Sequence, residues 1–171
     1  FVTEQMAIDR EANVTFALFD HQYRLINNGT DIKEIEKLTD QTYQPSGMTA
    51  LLDAIGRTVD SVGERLNTLP ESKKPENVIV FILTDGMENA SSVYSREKIK
   101  EMIEHQESTY SWEFIYGGAN HDAFAEAGSL GIKNENTFAY ESTGQGTRTA
   151  YRYSSEIVAN LREKSIDDDQ D

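Results

Sequence analysis

"VIVFILTDGMENAS", residues 78–91, is the stretch on which the reading of this chain turns. Residues 78–83 are all apolar and rich in β-branched side chains. They do not alternate with polar residues, as strands covered on both faces do not. The run then stops at Thr84-Asp85-Gly86. A buried strand that ends on a carboxylate places that carboxylate at the carboxyl edge of a sheet. In open α/β sheets this is the edge where ligands bind. The plainer reading is that Asp-Gly is simply a good turn.

Working outward, the same alternation of strand and helix recurs. "VTFALFD" (14–20) reads as a buried strand, and "YRLINNGT" (23–30) follows so closely that the two form a hairpin. Residues 1–10 read as the end of a helix. Asp31 with Glu34 makes a capping box for a short helix that turns Ile32, Ile35 and Leu38 inward. "YQPSGMTA" (43–50) is a loop. It feeds a helix over 50–67 whose apolar stripe is Leu51, Leu52, Ile55, Val59, Val62 and Leu66. Ser95 caps a helix running to about Glu107, with Ile99, Met102 and Ile103 on one face. "WEFIYGGAN" (112–120) is a second buried strand, and "HDAFAEAGSLGI" a helix stopped at Gly128 or Gly131. "NTFAYES" is a shorter strand. A last helix runs from about Gly146 to Lys164 and turns Ala150, Tyr153, Ile157, Val158 and Leu161 inward. The pattern predicts an α/β fold. Its sheet is doubly wound and mostly parallel, with one antiparallel edge hairpin strand and helices on both faces.

A length of 171 residues suits one domain, 1–171, with residues 165–171 as an acidic solvated tail. Net charge is −14, which disfavours nucleic acid and anionic membrane surfaces as partners. There is no cysteine, so disulfides, thiolate metal sites and cysteine nucleophiles are excluded. That composition leans towards a cytoplasmic location. No apolar run approaches the roughly 18 residues that span a bilayer. Residue 1 is Phe, which reads as a chain cut from something longer.

Thr49 stands at the start of the long helix. A Thr there is ordinarily an N-cap. It is also a neutral oxygen donor in a loop, and with Asp85 it makes half of a hard-cation site. Together, "VTFALFDHQYRLI", "YQPSGMTALLDAIG", "VIVFILTDGMENAS" and "WEFIYGGANHDAFAEAGSLGI" resemble the von Willebrand factor A domain family in order and spacing. "TDGMENAS" with "GGANHDA" looks like a bacterial and phage subgroup of that family. The resemblance implies a protein-binding module rather than an enzyme. It implies a metal-ion-dependent adhesion site for Mg²⁺ or Mn²⁺, with Thr49 and Asp85 as ligands. A protein partner's Asp or Glu carboxylate completes the coordination. Glu88 and Asn89, and Asn120 and Asp122 after the next strand, are placed on the rim of that site. Their plain readings are a helix-entry loop for the first pair and a cap of "AFAEAG" for the second.

The family's Asp-x-Ser-x-Ser loop, and the central strand before it, have no counterpart in residues 1–171. Three explanations stand open: the chain is a fragment of something longer, the missing piece is present but outside the structure, or the flanking strands pair directly or another chain fills the gap. The metal site is accordingly an expectation for an intact domain. A metal-free structural or assembly component of a bacterial or phage complex is the alternative. A metal-dependent hydrolase is a third class, but no second carboxylate or nucleophile is identified beside Asp85. His21 and His105 have no Ser or Cys partner at a suggestive spacing, and no phosphate-binding loop is present.

Overall fold

The computed structural model describes residues 1–37, 39, 47–119 and 122–164. Leu38, most of the loop before the long helix, Asn120, His121 and the acidic tail lie outside the described residues. The chain is mixed α/β. Its elements are α1 (Val2–Met6), β1 (Asn13–Phe19), β2 (Tyr23–Asp31), α2 (Leu51–Asn67), β3 (Ile79–Thr84), α3 (Arg96–Tyr110), β4 (Glu113–Ala119), α4 (Ala123–Ser129), β5 (Thr137–Tyr140) and α5 (Gly144–Lys164). It falls into two compact units. One comprises Phe1–Ile8, Pro75–Gly86 and Lys100–Asp171, the other Asp9–Lys74 and Met87–Ile99.

The first unit holds a parallel sheet in the order β3-β4-β5. Ile79 to Thr84 pair in register with Glu113 to Gly118, and Tyr116 to Ala119 with Thr137 to Tyr140. The middle strand is buried from Phe114 to Ala119, as a run without alternation requires. β3 is the terminal strand of this order and is only half-buried, with Ile82 and Thr84 fully covered. Ile115, Phe138, Ala150 and Val158 form a core cluster, against which Phe81, Leu83 and Leu161 pack. Gly117 is required at its place, because a Cβ there would lie 2.5 Å from the Phe138 ring. Tyr153 was expected inward with the α5 stripe, yet it is 46% exposed. It meets the core only through its ring edge, set against Phe138 with centroids 5.1 Å apart.

A buried polar link fastens α1 to α5. Gln5 is 2% exposed, and its amide donates to the Ser155 carbonyl at 2.8 Å and hydroxyl at 3.0 Å. Arg162 in turn donates to the Gln5 carbonyl and side-chain oxygen. A buried amide is tolerable only when satisfied in this way.

The second unit pairs α2 with the β1–β2 hairpin. The hairpin was expected at the edge of the parallel sheet; it forms a two-stranded antiparallel sheet of its own. The short turn accounts for the pairing itself; no hydrogen-bonded ladder joins the pair to β3, β4 or β5 among the described residues. The very short turn at residues 20–22 brings β2 onto β1 at once, and the pairing runs from Phe19↔Tyr23 to Asn13↔Asp31. Register shifts around Phe16 twist the pair, and Gly29 takes up the left-handed φ of 74°. β1 was expected to be buried; Leu18 alone among its residues is fully covered. Five residues of the predicted α2 stripe, Leu51, Leu52, Ile55, Val59 and Val62, are at 7% exposure or less, while Leu66 near the helix end is only partly buried. At about 1.5–3 kcal/mol for each buried aliphatic side chain, this stripe is what holds the helix in place.

After the hairpin, the predicted short helix is a single 3-10 turn, Ile32–Glu34. Asp31 does cap it, accepting from the Lys33 N–H at 2.9 Å. Ile32 is buried, Ile35 only partly. Among the described residues no helix is long and apolar enough to cross a membrane.

Candidate functional site

The chemistry-bearing residues of the second unit gather where α2 begins. Thr49 is not the N-cap of this helix. That position belongs to Ala50, whose side chain has nothing to cap with. The first-turn amides of a helix have no partner within it and must find one elsewhere. Here the partners come from residues 88–91, some forty positions along the chain. Glu88 accepts the Leu52 N–H at 2.9 Å, and the Ser91 hydroxyl accepts the Asp53 N–H at 3.0 Å. Ser91 also donates its hydroxyl proton to the same Glu88 oxygen at 2.8 Å. The other Glu88 oxygen accepts the N–H groups of Ala90 and Ser91. One carboxylate thus folds its own loop and caps a distant helix.

Asp53 answers in the opposite direction. It lies in the first turn of α2 at 7% exposure, and its carboxylate accepts three successive backbone N–H groups. Ser92 donates at 3.0 Å, Val93 at 3.0 Å and Tyr94 at 2.9 Å. Burial pushes the Asp53 carboxyl up, but the three N–H groups and the Arg57 charge outweigh it and hold it below its ordinary range. Burial also pushes Glu88 up, and its four hydrogen bonds from Leu52, Ser91 and Ala90 again bring it below the usual value. Further along, the Tyr94 hydroxyl donates to Asp60 at 2.5 Å. That bond, with burial and the Asp60 charge, pushes the phenol up to about 12. The Tyr94 ring lies where a Gly56 Cβ would be, 2.5 Å from that position.

Thr49 is tied to the same loop by its backbone. Its N–H donates to the Asn89 side-chain oxygen at 2.8 Å, and its carbonyl accepts the Asn89 N–H at 3.0 Å. Its own hydroxyl makes no hydrogen bond among the described residues. Ala50 is fixed in turn, donating its N–H to the Asp20 carbonyl at 2.7 Å. Three exposed apolar side chains ride on these clasped segments: Met48 (52%), Met87 (64%) and Val93 (61%).

Asp85 belongs to the other unit, at the end of β3. The Thr84 hydroxyl accepts the Gly86 N–H at 3.3 Å and donates to the Gly86 carbonyl at 3.1 Å. This closes the turn and leaves Asp85 exposed at its apex. Its carboxylate has no hydrogen bond or ion pair among the described residues. Asp122 is the N-cap of α4 and accepts the Ala125 N–H at 3.1 Å, so its plain reading holds. Asn120 lies outside the described residues. Among those described, no group of three or more His, Cys, Asp or Glu could hold a metal ion.

Thr49 and Asp85 offer a hydroxyl and a carboxylate, donors that match a hard cation in kind. In number they fall well short of the six oxygen positions, roughly, that Mg²⁺ fills. The residue sequence reasoning missed is Asp53. It lies on the long helix between Leu52 and Ala54, and the only available signal was an acidic side chain inside an apolar stripe.

No family model matches the chain, and neither a curated protein nor a solved structure does.

Proposed function

We propose that this chain is a protein-binding module of the von Willebrand factor A type rather than an enzyme. Its sheet would then be part of a doubly wound arrangement. In a domain that also carries an Asp-x-Ser-x-Ser loop, Thr49 Oγ1 and the Asp85 carboxylate would hold Mg²⁺ or Mn²⁺. With mostly neutral donors around it, the ion keeps positive charge for an Asp or Glu of a partner protein. The observation that carries this reading is the state of Thr49. Its backbone is pinned on both sides to Asn89, while its hydroxyl makes no hydrogen bond among the described residues. Met48, Met87 and Val93 support a protein partner, since exposed apolar side chains next to a polar anchor suit contact surfaces.

The test is titration of the full-length protein with Mn²⁺, followed by NMR. Paramagnetic broadening should centre on Thr49 and Gly86 and disappear in Thr49→Val and Asp85→Ala. Broadening spread over the surface carboxylates would sink the reading. A metal-free assembly component with the same fold is the second reading. The commitment of Glu88 and Asn89 to structural hydrogen bonds favours it, because neither is then left to face a ligand.

A further inference from the structure

At one point of the β1–β2 hairpin the ladder is interrupted. Val14 pairs with Thr30 and Phe16 with Asn27, so Thr15 faces two residues, Asn28 and Gly29. In such a bulge the regular ladder no longer dictates the partner of each backbone group. Gly29 has a φ of 74°, and its N–H donates to the Thr15 hydroxyl oxygen at 3.1 Å. The same hydroxyl donates its proton to the side-chain oxygen of Asn28 at 3.3 Å. Asn28 is exposed. We infer that Asn28 is a self-modification site, where the side-chain amide becomes a carboxylate through a cyclic imide with Gly29, and Thr15 moves the proton. The site is separate from Thr49 and Asp85 and stands or falls independently of the metal-binding reading.

The reaction needs the Gly29 nitrogen to bond to Cγ of Asn28. Glycine has no Cβ to crowd that approach. Two obstacles remain: the nitrogen carries a proton, and an amide carbon is a weak electrophile. Thr15 touches both groups concerned. An N–H that donates in the plane of its amide leaves the π face of the nitrogen free to attack. As the N–C bond forms, the nitrogen's proton passes to Thr15 Oγ1, and the Thr15 proton passes to Asn28 Oδ1. The tetrahedral carbon then breaks its bond to Nδ2. Ammonia leaves with the hydroxyl proton, and the carbonyl reforms. Water opens the imide at either carbonyl, leaving an aspartate or isoaspartate at position 28. The sum is amide plus water to acid plus ammonia, with no redox change. Arg65 adds charge at the right place. Its guanidinium carbon lies 2.5 Å from where a Gly29 Cβ would stand. A cation there favours the negative charge that develops on the nitrogen as its proton leaves. Arg65 makes no ion pair among the described residues, so the new carboxylate one residue away gains a counter-charge without displacing another.

The test is incubation of the full-length protein at mildly alkaline pH, followed by peptide mapping with mass and isoaspartate detection. Ammonia loss should localise to residues 28–29. It should run faster than in a free peptide of residues 24–32, which has the same sequence and no fixed Thr15. Thr15→Val should slow it by about tenfold or more, as loss of a positioned proton-transfer group does. Valine keeps the β-branched shape of the strand residue. Thr15→Ser should keep the wild-type rate, and its comparison with the free peptide decides the matter should Thr15→Val fail to fold. An unmodified Asn28, or a folded chain slower than the peptide, overturns the inference. So does an unchanged or faster rate in folded Thr15→Val, which would show that the hydroxyl guards the pair instead of coupling it.

Discussion

Two helix starts in this molecule solve one problem in opposite ways. At α4, Asp122 sits in the cap position and accepts the N–H of Ala125, three residues on. At α2, the cap residue is Ala50, and Glu88 and Ser91 accept the first-turn amides from the far side of a strand and two loops. A local cap stabilises one helix. A distant cap also fixes where the helix begins relative to the loop that supplies it. In this chain it binds residues 49–53 and 88–94 into one frame, with Asp53 closing it from the helix side. The difference teaches that the first turn of α2 is satisfied by tertiary contact, where that of α4 is satisfied by its own neighbour.

The comparison is broken most severely at Asp53. Asp53→Ala leaves three backbone N–H groups without their acceptor. It should cost about 3 kcal/mol in chemical denaturation, since bonds to a charged group are worth roughly 1.5–3 kcal/mol each and are not additive. A loss below that of an ordinary cap would mean water replaces the carboxylate freely. Glu88→Ala should follow at about 2 kcal/mol, with the amides of Leu52, Ala90 and Ser91 losing exchange protection together. Separate loss at one site would show that the frame is not cooperative.

Acid tests the same frame without mutation. Asp53 and Glu88 titrate below their ordinary 3.8 and 4.5 in the folded chain. A carboxyl whose folded pKa is depressed contributes stability that is complete above its unfolded pKa. That contribution is lost as pH falls through the folded value. The frame should therefore hold unchanged at pH 6 and loosen as the pH drops below about 4.5 and on past 3.8. Amides of Ser92 to Tyr94 should report the change, and Asp53→Asn should remove most of it. Local caps give the smallest effects. Asp122→Ala should cost about 1 kcal/mol. Its effect on exchange should stay within α4, whereas changes at Glu88 reach two segments.

Much of the architecture was legible because its causes are local. The α2 stripe over residues 51–62 repeats at helical spacing and is buried as that spacing dictates. Residues 78–83 and 112–120 read as strands from their β-branched and aromatic content, and the sheet contains β3 and β4 within a residue or so of those limits. Asp31, Ser95 and Asp122 were recognisable as caps, since each lies immediately before the helix it serves. Tyr153 misled because a phenol can complete a stripe on paper and still keep its polar end in water.

The candidate site was less legible. Thr49 and Asp85 stood out as residue types, but nothing in spacing alone could say that Asn89 would pair with Thr49 or that Asp53 would gather three amides.

The sequence by itself determined the strand and helix alternation, the amphipathic faces and the local caps, because periodicity and capping act over three or four residues. Tertiary structure alone decided that the hairpin would form its own sheet and that residues 88–91 would supply the acceptors for the first turn of α2. It also decided that two carboxylates would clasp that start. Unpaired helix amides demand an acceptor, and a chain folded in three dimensions can supply one from forty residues away.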